Sequence, residues 1–381
     1  MTVKNEAKSE PAFSILVIRC DRLGDVLLST PVFSAIKQNF KGARLTVMVQ
    51  DFVAPVIRGL PEVDEVLIYE PKGRHAGIRG FFRLLGELRA RHFRMGILLQ
   101  SQFRLAAAVF GAGIRYRVGP LSKIYSFFFY NRGLRQRRSR VEMHEADYNL
   151  QLLRRIGVRV VARAQETRAA VAPEKVVAAR SWLWEQGWDP SSPLIAIHPG
   201  MGGSALNWPE LHYAELAKAL VQEGKTVVLS AGAAEYGLVD RIADLILKPD
   251  SSVSAGNERG PGKLLIYRGG ENGRNLEDLG ALYTHAAVVV APSTGPLHLA
   301  VSLGRPVVTF YPPIRVQSAI RWGPYLKDEE RASILVPDNY CGEDYKCRGP
   351  VCHYYPCMSR LSVPEALTEV HHQIDYAKNQ V

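Results

Sequence analysis

No apolar run in the 381 residues approaches the ~20 needed to cross a bilayer, which excludes a membrane-spanning helix as the organising feature. The first ten residues, MTVKNEAKSE, are polar and lack the apolar centre of a secretory leader, so a cytoplasmic protein is the expectation. The chain contains no G-x-x-x-x-G-K-[ST], and no G-x-G-x-x-G follows the first strand-like run. A P-loop enzyme and a dinucleotide dehydrogenase are therefore disfavoured. Cysteine is scarce: five in all, four of them in CGEDYKCRGPVCHYYPC (341–357). Cys341, Cys347, Cys352 and Cys357 lack the C-x2-C pairs of common zinc sites. A structural zinc, an iron–sulfur cluster, and thiols that are unligated or paired as disulfides all stay open.

The composition is that of a folded protein, 47% hydrophobic and 22% charged, and the length suits two domains. The net charge is +11, with much of the excess in 72–94 and 131–140, where Phe81, Phe82, Phe93 and the run IYSFFFYNRG (124–133) are interleaved. Such a surface is either a set of solvated helix faces or a meeting place for an anionic partner, above all a membrane or an acidic lipid. No nucleic-acid motif accompanies it, and no nucleic-acid partner is expected.

From residue 14 short runs rich in Val, Ile and Leu alternate with longer helical patterns. SILVIRC, RLTVMVQ, EVLIYEP and MGILLQ read as strands with helices between them, and Pro31 kinks or restarts the first helical pattern. The alternation dissolves between about 157 and 193. It resumes with LIAIHPG, KTVVLSAG, KLLIYRGG, AVVVAP and PVVTFYPP as strands, interrupted by a polar glycine-rich insert at 250–262. Continuous apolar strands separated by helices imply two parallel, doubly wound sheets. Ligands of such sheets bind beyond the carboxyl ends of the strands, so the residues standing there matter most.

Four strand ends carry unusual residues. RCDRLGDVLLSTP (19–31) sets Arg19, Asp21, Arg22 and Asp25 around Gly24. HPGMGGSALNWPE (198–210) offers Gly202, Gly203 and Ser204, whose backbone can approach an anion closely. SAGAAE (230–235) ends in Glu235, and APSTGPLHLA (291–300) opens a helix with Ser293, Thr294 and Gly295. A helix N-terminus is a seat for phosphate, although Ser and Thr there also serve as ordinary caps. The small-residue loops look like a nucleotide-diphosphate pocket in the second half. The carboxylates stand in the first. That division suits a transferase.

ILVIRCDRLGDVLLSTPVFSAIKQNF resembles the opening of glycosyltransferase family 9, the heptosyltransferases of lipopolysaccharide core assembly. IAIHPGMGGSALNWPELHYAELAKAL, LEDLGALYTHAAVVVAPSTGPLHLAVSLGRPVVTFYPP and PCMSRLSVPEAL are similar to later motifs of the family, in the same order. The resemblance spans about residues 14 to 370. It implies an α/β GT-B fold of two Rossmann-like doubly wound domains facing a cleft. The expected layout is a tail at 1–13, an acceptor domain at 14–172, a nucleotide-sugar domain at 173–362, and a helix at 363–381 returning to the first domain. It also implies an inverting, metal-independent transfer from a nucleotide-diphosphate sugar, ADP-heptose or similar, with no other cofactor. The acceptor would be an anionic glycolipid, lipopolysaccharide core or a relative of it, met at the inner membrane surface.

By the same resemblance Asp25 is the general base, its alternative being a plain helix N-cap, and Gly24 allows the tight loop that presents it. Thr294, Gly295 and His298 would line the diphosphate beside Gly202, Gly203 and Ser204. Glu235 matches a family glutamate at the nucleotide ribose. Plainer readings are a histidine satisfying a nearby carbonyl and a glutamate opening a helix. Two positions depart from the family pattern: Leu206 stands for a lysine, and Ser293 for an aspartate that binds sugar hydroxyls. Arg22, Arg268 and Arg315 are the cations available to replace the lost charge. A non-catalytic sugar- or lipid-binding protein on the same scaffold is the alternative, and oligonucleotide binding through the +11 charge a weaker one.

Overall fold

The computed structural model describes residues 13–203, 205–247, 262–341 and 347–380. The expected tail at 1–13, apart from Phe13, the insert at 250–262, apart from Gly262, and Ser204 lie outside them.

Twelve strands form two six-stranded sheets. The first holds β1 (Ser14–Ile18), β2 (Arg44–Val49), β3 (Glu65–Ile68), β4 (Met95–Leu98), β5 (Tyr116–Pro120) and β6 (Arg132–Leu134) in the order β3-β2-β1-β4-β5-β6. The second holds β7 (Leu194–Ile197), β8 (Thr226–Ala231), β9 (Lys263–Arg268), β10 (Val288–Pro292), β11 (Val307–Phe310) and β12 (Ala332–Leu335) in the order β12-β11-β10-β7-β8-β9. Every strand pairing is parallel. The strand order reverses between β1 and β4 in one sheet and between β7 and β10 in the other. These are the switch points where a crevice opens at the carboxyl ends.

The apolar runs are buried on both faces. Ile15 and Val17 of β1, with Leu194 and Ala196 of β7, join one cluster that continues across both domains. Leu16 and Ile18 face a cluster on the outer side of the first sheet, and Ile195 and Ile197 one on the outer side of the second. That alternation is the two-residue period of a strand with helices on each side.

The first helical pattern does restart near Pro31. A short helix, Leu23–Leu27, stops at Leu28, and a second, Thr30–Asn39, begins with Pro31 in its first turn. There the missing N–H of proline costs nothing. The last helix, Val363–Asn379, packs on the second sheet. Its apolar face, Ala366, Val370 and Ile374, joins the cluster on the second sheet with Trp208 and Phe310. The indole of Trp208 stacks on Phe310 at 4.2 Å and donates to the Leu361 carbonyl at 2.9 Å, which ties that helix down. The segment 321–325 reaches the first domain. Arg321 pairs with Glu145, the Gly323 carbonyl meets His144, and the Tyr325 hydroxyl reaches Asp147.

Candidate active site

At the end of β1, Arg19 turns inward and is 3% exposed. A buried guanidinium must satisfy its donors within the protein. Its Nε donates to Asp21 Oδ1 at 2.8 Å, its Nη2 pairs with Asp25, and its Nη1 reaches Asn149, Glu145 and the Leu99 carbonyl. The acids hold its proton more firmly than usual despite burial. Glu145 is itself shared by Arg138 and Arg321. Burial opposes its charge, yet Arg138, Arg19 and Arg321 together hold it below the usual carboxylate range. Asp21 goes the other way. Burial pushes its carboxyl up to about 6 against the pull of Arg19, with the Asp25 charge adding to the rise.

Asp25 is not an N-cap. That position is Arg22, and Asp25 lies in the first turn of the helix, its side chain 16% exposed. It faces a cavity of about 320 Å³ shared with Arg22, Ser293, Thr294, Gly295 and His298. The helix Gly295–Ser302 points its N-terminus into this cavity, and Thr294, its N-cap residue, makes no side-chain capping bond. The two helices touch. A Cβ on Gly24 would stand 2.6 Å from His298 Cδ2, and one on Gly295 3.1 Å from Leu23. Gly24 thus serves a close approach between domains within a regular helix, and the tight loop expected from the sequence is absent. Burial drives His298 down to about 3, with His144 adding to the fall, so the ring is neutral. Its Nδ1 is buried without a partner, so the plainer reading of a histidine satisfied by a carbonyl through that nitrogen fails.

Next to this lies a larger cavity of about 720 Å³, which Arg22, Thr294 and Gly295 also border. Its floor is the loop after β7, closed on itself by Asn207, whose Nδ2 donates to the Pro199 carbonyl at 2.7 Å. Gly202 lines it in the left-handed region at φ 56°, followed by Gly203 at 70°. Glu235 enters from the end of β8. It accepts from the Gly232 amide at 3.2 Å and lies 3.3 Å from His198 Nε2. Gly200 makes room, since a Cβ there would stand 2.1 Å from the Glu235 carboxyl carbon. Burial disfavours the Glu235 charge, but His198 and the amides of Gly232 and Gly202 hold the carboxyl below its usual range. His198 is oriented in turn by Ser230, 3.0 Å from its Nδ1.

A carboxylate from one domain and a helix N-terminus from the other therefore share one crevice at the two switch points. The family model described as glycosyltransferase family 9 (heptosyltransferase) matches residues 81–254 and 273–350. The chain belongs to that family. A Haemophilus influenzae protein whose name assigns it only to the glycosyltransferases is 32% identical over 328 residues, 85% of this chain and 89% of that one. Lipopolysaccharide heptosyltransferase 2 of Escherichia coli is 28% identical over 332 residues, 84% and 88% of the two chains. Among solved structures, a family 9 glycosyltransferase of Veillonella parvula superposes with a TM-score of 0.78 at 19% identity, covering 97% of this chain and 99% of that one. E. coli ADP-heptose lipopolysaccharide heptosyltransferase II gives 0.73 at 20%, covering 96% and 99%. The fold is GT-B, and the protein is a glycosyltransferase.

In this glycosyltransferase, Asp25, Ser293, Thr294, Gly295 and His298 come together around the smaller cavity, and Gly202 and Glu235 around the larger. Gly203 borders neither. The two departures have structural homes. Leu206 packs against the second domain's apolar cluster, and Ser293 bonds to the Tyr311 hydroxyl. Of the three cations considered, only Arg22 lines the crevice, and it does so in both cavities. Arg268 is engaged by Asp240 and Glu271.

The four clustered cysteines line a separate cavity of about 550 Å³ with Leu206, Ile314 and His353, and are not joined in disulfides. Burial raises the Cys357 thiol, and the other three add to the rise. Among the described residues no three His, Cys, Asp or Glu converge as metal ligands. His198, Glu145 and Arg321 escaped sequence reasoning, as did Arg274, which lines the larger cavity. Only His198, ending an apolar strand, left a local signal.

Proposed function

We propose that the chain transfers a heptose, or a sugar closely related to it, from a nucleoside-diphosphate donor to a lipopolysaccharide-core acceptor, with inversion at the anomeric carbon and Asp25 as general base. The observation that carries the reading is that Asp25 and the Thr294–Gly295 helix N-terminus line one cavity from opposite domains. An acceptor hydroxyl is a poor nucleophile and must shed its proton as it attacks. Its oxygen forms the new bond to C1 of the donor sugar, the C1–O bond to the diphosphate breaks, and the diphosphate leaves with the electron pair. The Asp25 carboxylate takes the hydroxyl proton. Arg19, anchored on Glu145 and Asn149, holds the carboxylate in place. Asp21, although its carboxyl sits near 6, lines neither cavity and is the weaker choice of base.

Charge growing on the leaving diphosphate meets the free N–H groups of the helix Gly295–Ser302, the Thr294 hydroxyl and Arg22. His298, held neutral by burial, adds an uncharged ring at the same wall. The larger cavity has the size and lining of a nucleoside site, with Glu235 placed to accept from vicinal ribose hydroxyls. Relatives named as lipopolysaccharide heptosyltransferases and a solved neighbour titled for ADP-heptose favour that donor. The lysine and aspartate replaced by Leu206 and Ser293 leave room for a different sugar on the same nucleotide.

Thermal-shift measurements with ADP, UDP and GDP, followed by transfer assays of the matching nucleotide sugars onto heptose-deficient lipopolysaccharide, test the reading. Selective stabilisation by ADP and transfer from ADP-heptose are expected. Stabilisation by no nucleoside diphosphate would overturn it.

A further inference from the structure

Between Leu88 and Val141 the chain has no Asp or Glu and twelve Lys or Arg, while the remainder is balanced at 36 basic against 37 acidic residues. The whole net charge of the protein is thus concentrated in one stretch of the first domain. The same stretch carries large side chains that find no core. Phe103 is 58% exposed, Ile124 85%, Phe127 60% and Phe128 76%. Phe103 belongs to a row of rings, and Ile124, Phe127 and Phe128 flank Tyr125 and Phe129 of that row along the chain. The rings of Phe103, Tyr125, Phe129 and Phe110 touch in sequence at 5.3–6.2 Å, and Arg117 lies 5.0 Å from the Phe110 ring centre. The short helix Ser126–Phe129 is fastened by buried Ser126, whose amide donates to the Lys123 carbonyl at 3.0 Å, so Phe127 and Phe128 are presented outward on a fixed turn.

The position of the patch is informative. The segment 121–130 follows β5 at its carboxyl end, and the Tyr125 hydroxyl lies 3.1 Å from that of Ser101, three residues beyond β4. The patch therefore begins at the same end of the sheet as Asp25, and runs along the sheet's flank toward the start of β5, where the Phe129 carbonyl accepts from Arg117. A protein partner with an acidic face could meet the charge. But outward phenylalanines among arginines and a lysine, with no carboxylate among them, match a layer that is anionic at its surface and apolar beneath. Among the described residues no helix is long and apolar enough to cross a membrane, so contact would be from the surface.

We propose that the face built on Phe103, Ile124, Phe127 and Phe128 docks on an anionic lipid bilayer, with the cations of 88–141 on the headgroups, and turns the crevice toward an acceptor anchored there. The proposal rests on the reading of the acceptor as a glycolipid. It gives that reading a specific point of contact.

Co-sedimentation with vesicles tests it. The full chain is expected to bind vesicles of phosphatidylethanolamine with about 30% phosphatidylglycerol, to ignore pure phosphatidylcholine, and to bind several-fold less in 0.5 M salt. Phe127→Ser/Phe128→Ser should lower the partition at least about tenfold with an unchanged melting temperature, because neither side chain belongs to a core. Sedimentation velocity of the same pair checks the competing occupant. Self-association of the parent that vanishes in the double variant would assign the patch to a second copy and overturn the proposal. So would failure of the parent to bind anionic vesicles, or equal binding by both proteins. Asp25→Ala should bind vesicles like the parent, so a failed transferase reading and a failed docking surface give different results.

Discussion

Arg321, from the second domain, donates both Nε and Nη2 to one oxygen of Glu145 in the first, at 3.1 and 3.0 Å. Glu145 in turn braces Arg19, and Arg19 braces Asp25. The chain of contacts runs from the domain interface to the proposed base, so the base is set by how the two halves meet.

Glu145→Gln should therefore be costly. It leaves three arginines short of a countercharge in a nearly closed site, a change of about 3–5 kcal/mol in chemical denaturation. The folded-state pKa of Glu145 lies below the ordinary 4.5, so its stabilising contribution is complete above that pH and is lost as pH falls through the folded value. The stability difference between parent and variant should shrink with acidification. Arg321→Ala should cost less, because Arg19 and Arg138 remain on the carboxylate.

Gly24→Ala tests the approach of the two helices. A methyl 2.6 Å from His298 Cδ2 forces either the ring or the domains to shift. We expect about 1–3 kcal/mol of destabilisation by thermal melting, with a fall in kcat that exceeds the change in donor KM. Gly42→Ala, which meets no neighbour within 4 Å but has φ 78°, would lose stability only by local strain and keep kcat.

Two buried histidines predict a second pH dependence. His144 is held down to about 4 and His298 to about 3, in both cases chiefly by burial, against an ordinary 6.5. The unfolded chain takes up their protons first. Stability should therefore decline as pH falls below 6.5, by about 1.4 kcal/mol per pH unit for each histidine until its folded pKa is reached. His298→Asn should lower that slope by about 1.4 kcal/mol per pH unit in urea titrations between pH 6.5 and 4. An unchanged slope would mean that His298 already accepts a proton in the folded protein.

Glu235→Gln keeps the shape of the larger cavity and removes a charge-assisted acceptor. Donor KM should rise about tenfold or more with kcat nearly unchanged, as for an interaction made equally in ground and transition states.

Much of this was legible in the sequence, for a physical reason. Strands buried on both faces are continuous runs of Val, Ile and Leu, and SILVI, LIAI and VVVAP announce themselves. The residues just beyond them, from Arg19 to Asp25 and from Ser293 to Gly295, are then placed at the crevice by topology alone. Strands such as RGL in β6 and ASIL in β12 are too short and too mixed to stand out, and the segment from 100 to 156 is legible only in its charges and its aromatic run. The last helix was recognised, but which domain it covers depends on Trp208 and Leu361, 153 positions apart. Glu145 lies 126 positions from Arg19 and 176 from Arg321. No periodicity encodes such separations. Gly24 looked like a turn residue because its neighbour His298 is 274 positions away.

The central claim is that Asp25 accepts the acceptor's proton across the crevice from the donor diphosphate. Steady-state kinetics and donor affinity of Asp25→Asn, measured together, test it most directly. The account predicts a fall in kcat of about 10²–10⁴-fold with donor Kd within a few-fold of the parent. Retained turnover, or a loss of donor affinity large enough to explain the loss of rate, would contradict it.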